Sequence, residues 1–410
     1  MYRPRGAGET ARHPDVEPED GQGAAARPAG RARCYGLAPI TRERGPSLVG
    51  PGGVSVSCRI SCRIQTEVTI PRVYIVQPIP PEPLERLRRL AEVDMFPHLD
   101  RRAEPSEIVE GVAEADYVFA IGENWIDAEV IAGARKLRMI GVMEIFPLAV
   151  DLDAATARGI PVTGLPHSSE ITETTAEFTF ALIGALSWRI VEADRFLREG
   201  RWIQYQSLVL PTDRLRGATL GVVGLGAIGR GVARRAQAAG MRIIYNDKTP
   251  LPASTEQALG VFWREIGDLF AEADVVVLSL ALTSQTVDLV GAELISHMKP
   301  DALLVNTSRG RVLDEEALAD ALEEGRIRGA ALDVHARELP DHAPTPNPRL
   351  LALPNVILTP HIGTSARRNR EWMAAQVVRN FELHLEGKRP LNVLNPEVYR
   401  EPPLHHERIG

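Results

Sequence analysis

Cysteine is almost missing from this chain: 410 residues include three, Cys34, Cys58 and Cys62, all in the first sixth of the sequence. Thiol catalysis, core disulfides and cysteine-ligated zinc are thereby excluded for the body of the protein. Long apolar runs are missing too, and none approaches the ~18 residues of a membrane helix. A positive excess is likewise absent, with 47 Lys and Arg against 54 Asp and Glu and a net charge of -7. A nucleic-acid surface calls for a basic face, so that class of partner is not expected. What is present, 44% hydrophobic and 25% charged residues, suits a globular chain long enough for two or three domains. A cytoplasmic protein with no metal, membrane or nucleic-acid partner is expected.

Residues 1–66 have a different texture from the rest. They are rich in Gly, Arg, Pro and Ala, with an acidic patch at Glu17, Glu19 and Asp20. Such a stretch buries too little apolar surface to offset the entropy of ordering it. It lacks the apolar run of a secretory signal and is too acidic for a transit peptide. Disorder is expected there, or a start assigned too far upstream. Cys58 and Cys62 have no further Cys or His nearby, which argues against a metal or redox site.

From Arg72 onward, strand and helix signals alternate. Strands are expected at 72–76, 117–121, 138–142 and 161–163, with helices at 83–91, 127–134 and 151–158. This rhythm predicts a mostly parallel sheet covered by helices on both faces. One long helix is expected over 170–198, since Phe180, Ile183, Leu186, Ile190 and Leu197 recur on one side. At ~1.5 Å per residue it would reach ~40 Å, enough to join two domains. A second strand–helix series follows, with strands at 219–223, 242–247, 275–280, 302–307, 330–334 and 356–359. A final helix over 365–385 has no further strand to pair with and is expected to return to the first domain. The expected divisions are 67–169 for the first domain, 170–360 for the second, 361–400 for the return and 401–410 for a tail.

Gly224-Leu225-Gly226-Ala227-Ile228-Gly229 is a G-x-G-x-x-G string. It follows an apolar strand, opens a helix and is followed by Asp247 at the end of the next strand, which together form a dinucleotide-binding fingerprint. Gly224 suits the tight turn, Gly226 the approach of a pyrophosphate, and Gly229 close helix–strand packing. Ala227 and Ile228 open the helix whose positive end would meet the phosphates. Asp247 would accept from the ribose hydroxyls and repel a 2′-phosphate, which favours NAD over NADP. Downstream, Arg309 in Asn306-Thr307-Ser308-Arg309-Gly310, Glu338 in the loop after Asp333, and His361 in Thr359-Pro360-His361-Ile362-Gly363 all lie just past strand ends. In an open α/β sheet these ends line the ligand crevice, so one Arg, one Glu and one His are expected together there.

At these residues the chain resembles the D-isomer-specific 2-hydroxyacid dehydrogenases, over roughly 72–398 and most closely over 220–366. The Leu385-Glu386-Gly387-Lys388 and Asn395-Pro396 segments also match. The resemblance implies an α/β fold: a Rossmann NAD-binding domain inserted in a smaller flavodoxin-like substrate domain, and a homodimer. It implies cofactor contacts from Thr307, Ser308, Asp333 and Gly363, and a substrate loop containing Val142, Met143 and Glu144. The chemistry then assigns roles. His361, with an ordinary pKa near ~6.5, would give the proton that quenches the charge formed on a reduced keto oxygen. Glu338 would orient it and raise its pKa, and Arg309 would clamp the carboxylate of a 2-keto acid.

The pattern departs from the family in three places. Gly141-Val142-Met143-Glu144-Ile145-Phe146-Pro147-Leu148 stands where a glycine-rich, carboxylate-binding loop is common, so backbone amides are expected only near Met143. Apolar groups there would favour a 2-keto acid with an apolar tail over glyoxylate if one faces the ligand, and a small pocket if they pack inside. Phe178 stands where a His is common, and His335 where an aromatic is common, with core packing as its expected role. Thr172 to Thr175 resemble the glyoxylate/hydroxypyruvate reductase branch, and His167 is a further cleft candidate. The readings left open are a dehydrogenase of another small anion, formate or phosphite, and an NAD(H)-sensing corepressor of the same fold.

Overall fold

The structure is a computed structural model that describes residues 70–399 except 123, 146–148, 205–207 and 339–344. The expected disorder of residues 1–66, the three cysteines and the 401–410 tail lie outside the described residues.

The first series comprises β1 (Arg72–Ile75), α1 (Pro81–Arg88), β2 (Glu92–Met95), α2 (Pro105–Val112), β3 (Tyr117–Ala120), α3 (Ala128–Gly133), β4 (Met139–Val142), α4 (Leu152–Ala157) and β5 (Val162–Thr163). Its five strands pair in parallel in the order β2-β1-β3-β4-β5, the flavodoxin-like arrangement. In this series two elements escaped the sequence reading, β2 and α2. β2 is an edge strand, so it buries little and its Glu-Val-Asp-Met sequence carries no apolar run.

Next come α5 (Ser169–Ser187) and α6 (Ile190–Arg198). The single long helix expected over 170–198 is therefore corrected to two. The break falls at Arg189, whose φ of +50° turns the chain out of the helical path. Apolar periodicity records a face but not what packs on it. α5 buries Ala176, Leu182, Ile183 and Leu186 against the second sheet, whereas α6 has no buried residue.

The second series runs β6 (Thr219–Val223), α7 (Ala227–Ala238), β7 (Arg242–Asn246), α8 (Ala253–Leu259), β8 (Val261–Trp263), α9 (Ile266–Glu272), β9 (Val275–Leu278) and α10 (Ala292–Ser296). It continues through β10 (Leu303–Asn306), α11 (Glu315–Glu323), β11 (Gly329–Leu332), α12 (Pro348–Ala352) and β12 (Val356–Leu358) to α13 (Arg367–Leu385). Seven parallel strands lie in the order β12-β11-β10-β9-β6-β7-β8, a Rossmann arrangement whose order reverses beside β6. The middle strands bury every residue, as a parallel sheet covered on both faces requires.

Helix starts follow the local sequence. Asp127, Asp151, Ser168 and Asp314 each accept a bond from the first turn of the helix they precede. After β12, α13 buries Met373, Ala374, Val377, Val378 and Phe381 in the core of the smaller sheet. Asn395 then accepts from the Val162 amide at 2.8 Å and donates to the Ile160 carbonyl at 2.9 Å, tying the end of the chain to β5.

Candidate active site

Past β6 the chain turns at Gly224, with φ of +94°. A side chain there would meet the Ser279 carbonyl oxygen at 2.5 Å, and one at Gly229 would collide with the Gly224 carbonyl. Their absence lets α7 close on the turn. Gly226 caps α7, is exposed and faces open space, and no side chain bonds to the first turn, which Ala227 and Ile228 begin. Free N–H donors at a positive helix end fit a pyrophosphate. Asp247 lies against this turn, accepting from the Leu225 amide at 2.9 Å and the Lys248 amide at 2.8 Å. That carboxylate is fixed where the ribose of a dinucleotide would follow its phosphates. A dinucleotide supplies a hydride when bound.

Beyond β10, the amide oxygen of Asn306 accepts from both the N–H and the hydroxyl of Ser308, at 3.0 and 2.8 Å. Its nitrogen donates to the Arg309 carbonyl at 3.0 Å. Thr307 pairs its hydroxyl with Thr179 on α5 at 2.7 Å. Thr307 and Ser308 are buried, and the bonds around them hold the turn that presents Arg309. Sequence reasoning passed over Asn306 because an Asn ending a strand has no distinctive signal.

His361 has a φ of +52°, a left-handed conformation rare outside glycine. Asp333 holds it there. Its carbonyl accepts from the His361 amide at 2.9 Å. Its buried carboxylate accepts from the Thr359 hydroxyl at 2.6 Å, the Ile362 amide at 2.9 Å and the Gly363 amide at 2.8 Å. Asp333 and Gly363 were expected as cofactor contacts; what the structure shows is that they build the turn that aims the histidine. The His361 Nδ1 bonds to the carboxylate of Glu338, the expected pair. Glu338 is largely buried, whereas nearly half of the imidazole is exposed.

Burial works against charge on His361, but its bond to Glu338 and the charges of Glu338 and Asp333 outweigh that effect and Arg309's opposition, raising its pKa. Glu338 is likewise disfavoured as an anion by burial, yet its bond to His361 keeps its pKa below the ordinary value. A charged imidazolium–carboxylate pair beside a guanidinium can hold a small anion and give up a proton to it.

The substrate-side strand ends differ. Val142 and Met143 are buried in the core of the smaller sheet, and Ile145 packs against it. The Met143 amide donates to the Ala120 carbonyl at 3.0 Å, so the expected free amide near Met143 is taken up by the strand ladder. The Glu144 carbonyl accepts from the Leu165 amide at 2.7 Å. Phe146 lies outside the described residues. His167 is exposed just past β5, and the His335 ring is buried, as packing predicts. Among the described residues no three His, Cys, Asp or Glu side chains are placed to hold a metal. No helix among them is long and apolar enough to cross a membrane.

Residues 180–363 match the family model for the D-isomer specific 2-hydroxyacid dehydrogenase NAD-binding domain. The chain is similar to the glyoxylate reductase of Korarchaeum cryptofilum, 40% identical over 337 residues that span 81% of this chain and 98% of the relative. With that of Thermococcus litoralis it shares 37% over 338 residues, 81% of this chain and 99% of the relative. A crystal structure of a Thermus thermophilus protein superposes with a TM-score of 0.71 at 39% identity, covering 79% of this chain and 99% of that one. The NADPH-dependent glyoxylate/hydroxypyruvate reductase of Sinorhizobium meliloti, solved with NADP and malonate, gives a TM-score of 0.67 at 28% identity, covering 82% and 99%.

Proposed function

The chain belongs to the D-isomer specific 2-hydroxyacid dehydrogenases, oxidoreductases that interconvert 2-keto and 2-hydroxy acids with a nicotinamide dinucleotide, and we propose from this that it reduces glyoxylate with NADH. The observation that carries the reading is the His361–Glu338 pair, held by Asp333 in one turn of the same sheet edge that presents Arg309. Arg309 binds the substrate carboxylate and polarises its carbonyl. His361 gives its proton to the carbonyl oxygen as negative charge forms there, and Glu338 stabilises the imidazolium before transfer and orients the ring. In the oxidative direction the neutral imidazole takes the hydroxyl proton back.

Glyoxylate is favoured as substrate because the curated relatives named for that activity match over nearly their whole length. It is favoured also because Met143 and Ile145 are turned into the core instead of toward a ligand. NADH is favoured because the Asp247 carboxylate, pinned against the glycine turn, would repel a 2′-phosphate. The test is oxidation of NADH and of NADPH with glyoxylate, hydroxypyruvate and 2-ketoisocaproate side by side. Turnover fastest on 2-ketoisocaproate, or only with NADPH, overturns the respective choice.

A homodimer is the proposed assembly. Around α6, Trp188, Ile190, Leu197, Trp202 and Leu208 are exposed, with Leu208 at 89%. The occupant we infer is a second copy, since large apolar side chains stand exposed around one helix and a two-fold axis would cover them with their own copies. Sedimentation of the purified protein checks it, and a monomer at micromolar concentration refutes it.

A further inference from the structure

The dipeptide His335-Ala336 touches the anchor of every residue assigned to the reaction. Its first contact is with Gly310, directly after Arg309: a side chain at Gly310 would collide with the His335 carbonyl, so the loop lies on bare backbone there. Its second is with Glu338, whose Oε2 accepts from the His335 amide at 3.2 Å while Oε1 holds His361. Its third is with the His361 turn: the His335 Nε2 lies 3.1 Å from the Thr359 carbonyl oxygen. A carbonyl only accepts, so Nε2 carries the ring proton. The Nδ1 of this buried ring has no hydrogen-bond partner.

The dipeptide is itself held from behind. Glu315, the first residue of α11, is buried and accepts from the Ala336 amide at 2.7 Å. A glutamate in a helix's first turn is ordinarily a solvated partner of the helix dipole. Glu315 instead faces inward, where burial pushes its carboxyl up from the usual range against the pull of the Ala336 amide, His335 and Arg337. A buried acid costs stability unless its bonds repay the desolvation. Among the described residues its bond goes to the loop that carries Glu338.

We propose that His335-Ala336, anchored by Glu315, sets Arg309, Glu338 and His361 in a single geometry, and that Glu315 and His335 are positioning residues for the reaction. This rests on the reading of His361 and Glu338 as the acid/base pair. Neither residue touches substrate; each acts through the loop. A phenylalanine ring at position 335 would have no N–H to offer Thr359, so the bond from ring to carbonyl depends on the histidine. Loosening the anchor lets Glu338 withdraw from Nδ1, and His361 then loses the support that holds its proton.

The test reads His361 directly, by NMR titration of the histidine-labelled protein, its resonance assigned with His361→Gln. The titratable and charged groups facing the site are Glu338, Asp333 and Arg309 around His361, and His335, Glu316 and Arg337 around Glu315. Glu315→Ala is expected to move the His361 midpoint down by about half a pH unit or more, as expected when a carboxylate partner recedes. Glu315→Gln keeps an oxygen for the Ala336 amide and holds the midpoint near the wild type. Glu315→Asp keeps the charge but is one methylene short, and follows Ala. In glyoxylate turnover, Glu315→Ala lowers kcat by about tenfold with KM for NADH within about twofold, and His335→Phe lowers kcat by about threefold.

An unmoved midpoint in both Ala and Asp variants overturns the proposal, as does an equal drop in the Gln variant, which would make charge and not the bond the cause. If the Ala variant fails to fold, the Asp and Gln pair decides. The titration needs no substrate. Wild-type protein inactive on glyoxylate with the expected midpoints defeats the substrate assignment and leaves the anchor standing.

Discussion

The strand ends of the two sheets solve the problem of building a site in opposite ways. On the nucleotide side, polar side chains carry the construction: Asn306 shapes the Arg309 turn, Asp333 holds His361 in a left-handed conformation, and Asp247 ties down the glycine turn. On the substrate side, the described residues beyond β4 contribute buried apolar side chains and backbone already paired in the ladder. The first kind of site is sensitive to single polar atoms, because a buried polar group that loses its partner costs its full desolvation. The second is sensitive to volume, and its substitutions register in stability before they register in chemistry.

The largest expected effect tests the polar side. His361→Gln should lower kcat for glyoxylate reduction by about 100-fold or more while NADH binding, followed by fluorescence, stays near wild type. A kcat within a few-fold of wild type removes His361 from the chemistry. The same group sets the pH profile. On the proposed mechanism reduction needs the protonated ring, so kcat should be level at low pH and fall as pH rises through the His361 pKa, which lies above the ordinary imidazole value. Oxidation of the 2-hydroxy acid rises over the same window. In Glu338→Gln the fall should begin at lower pH, because the carboxylate no longer favours the charged ring.

Arg309→Lys keeps the charge but loses the fork that binds a carboxylate through two parallel bonds. We expect kcat/KM for glyoxylate to drop by about 10- to 100-fold, mostly in KM, by steady-state kinetics. A change in kcat alone would mean that Arg309 acts on the transition state and not on binding. Asp247→Ser is a smaller step: the ratio of NADH to NADPH efficiency should fall by about tenfold, a change of about 1.4 kcal/mol, since a repulsive charge is removed. An unchanged ratio places cofactor choice elsewhere.

The smallest effect on activity sharpens the contrast. Met143→Ala should cost about 2–5 kcal/mol of stability, as for other buried large-to-small changes. The preference for glyoxylate over 2-ketoisocaproate should stay within about twofold, measured at a temperature where the variant is folded. A marked shift toward the larger acid would mean that Met143 borders the ligand after all.

The legibility of the two sides follows from the same contrast. Asp247, Arg309, Glu338 and His361 could be named along the chain as candidates because each carries its chemistry in its own side chain and stands at a strand end, and the glycine turn because its spacing is local. Asp333 was read only as a cofactor contact, since nothing in one sequence tells where a carboxylate's lone pairs go. Glu315 resembled any helix-opening acid, and His335 a core ring. The break at Arg189 was invisible because periodicity continued through it.

By itself, then, the sequence determined the alternation that makes two parallel sheets, the return of α13, and the residue types able to bind a dinucleotide and move a proton. Those properties are local: strand and helix periods, caps, and a fixed spacing around a turn. Tertiary structure alone decided the left-handed turn of His361, the burial of Met143, the end of α5 and the reach of Glu315 to the Ala336 amide. Each of these depends on what a residue meets from a distant part of the chain. Burial and hydrogen-bond partnership are properties of pairs, and the pairs exist only once the chain has closed on itself.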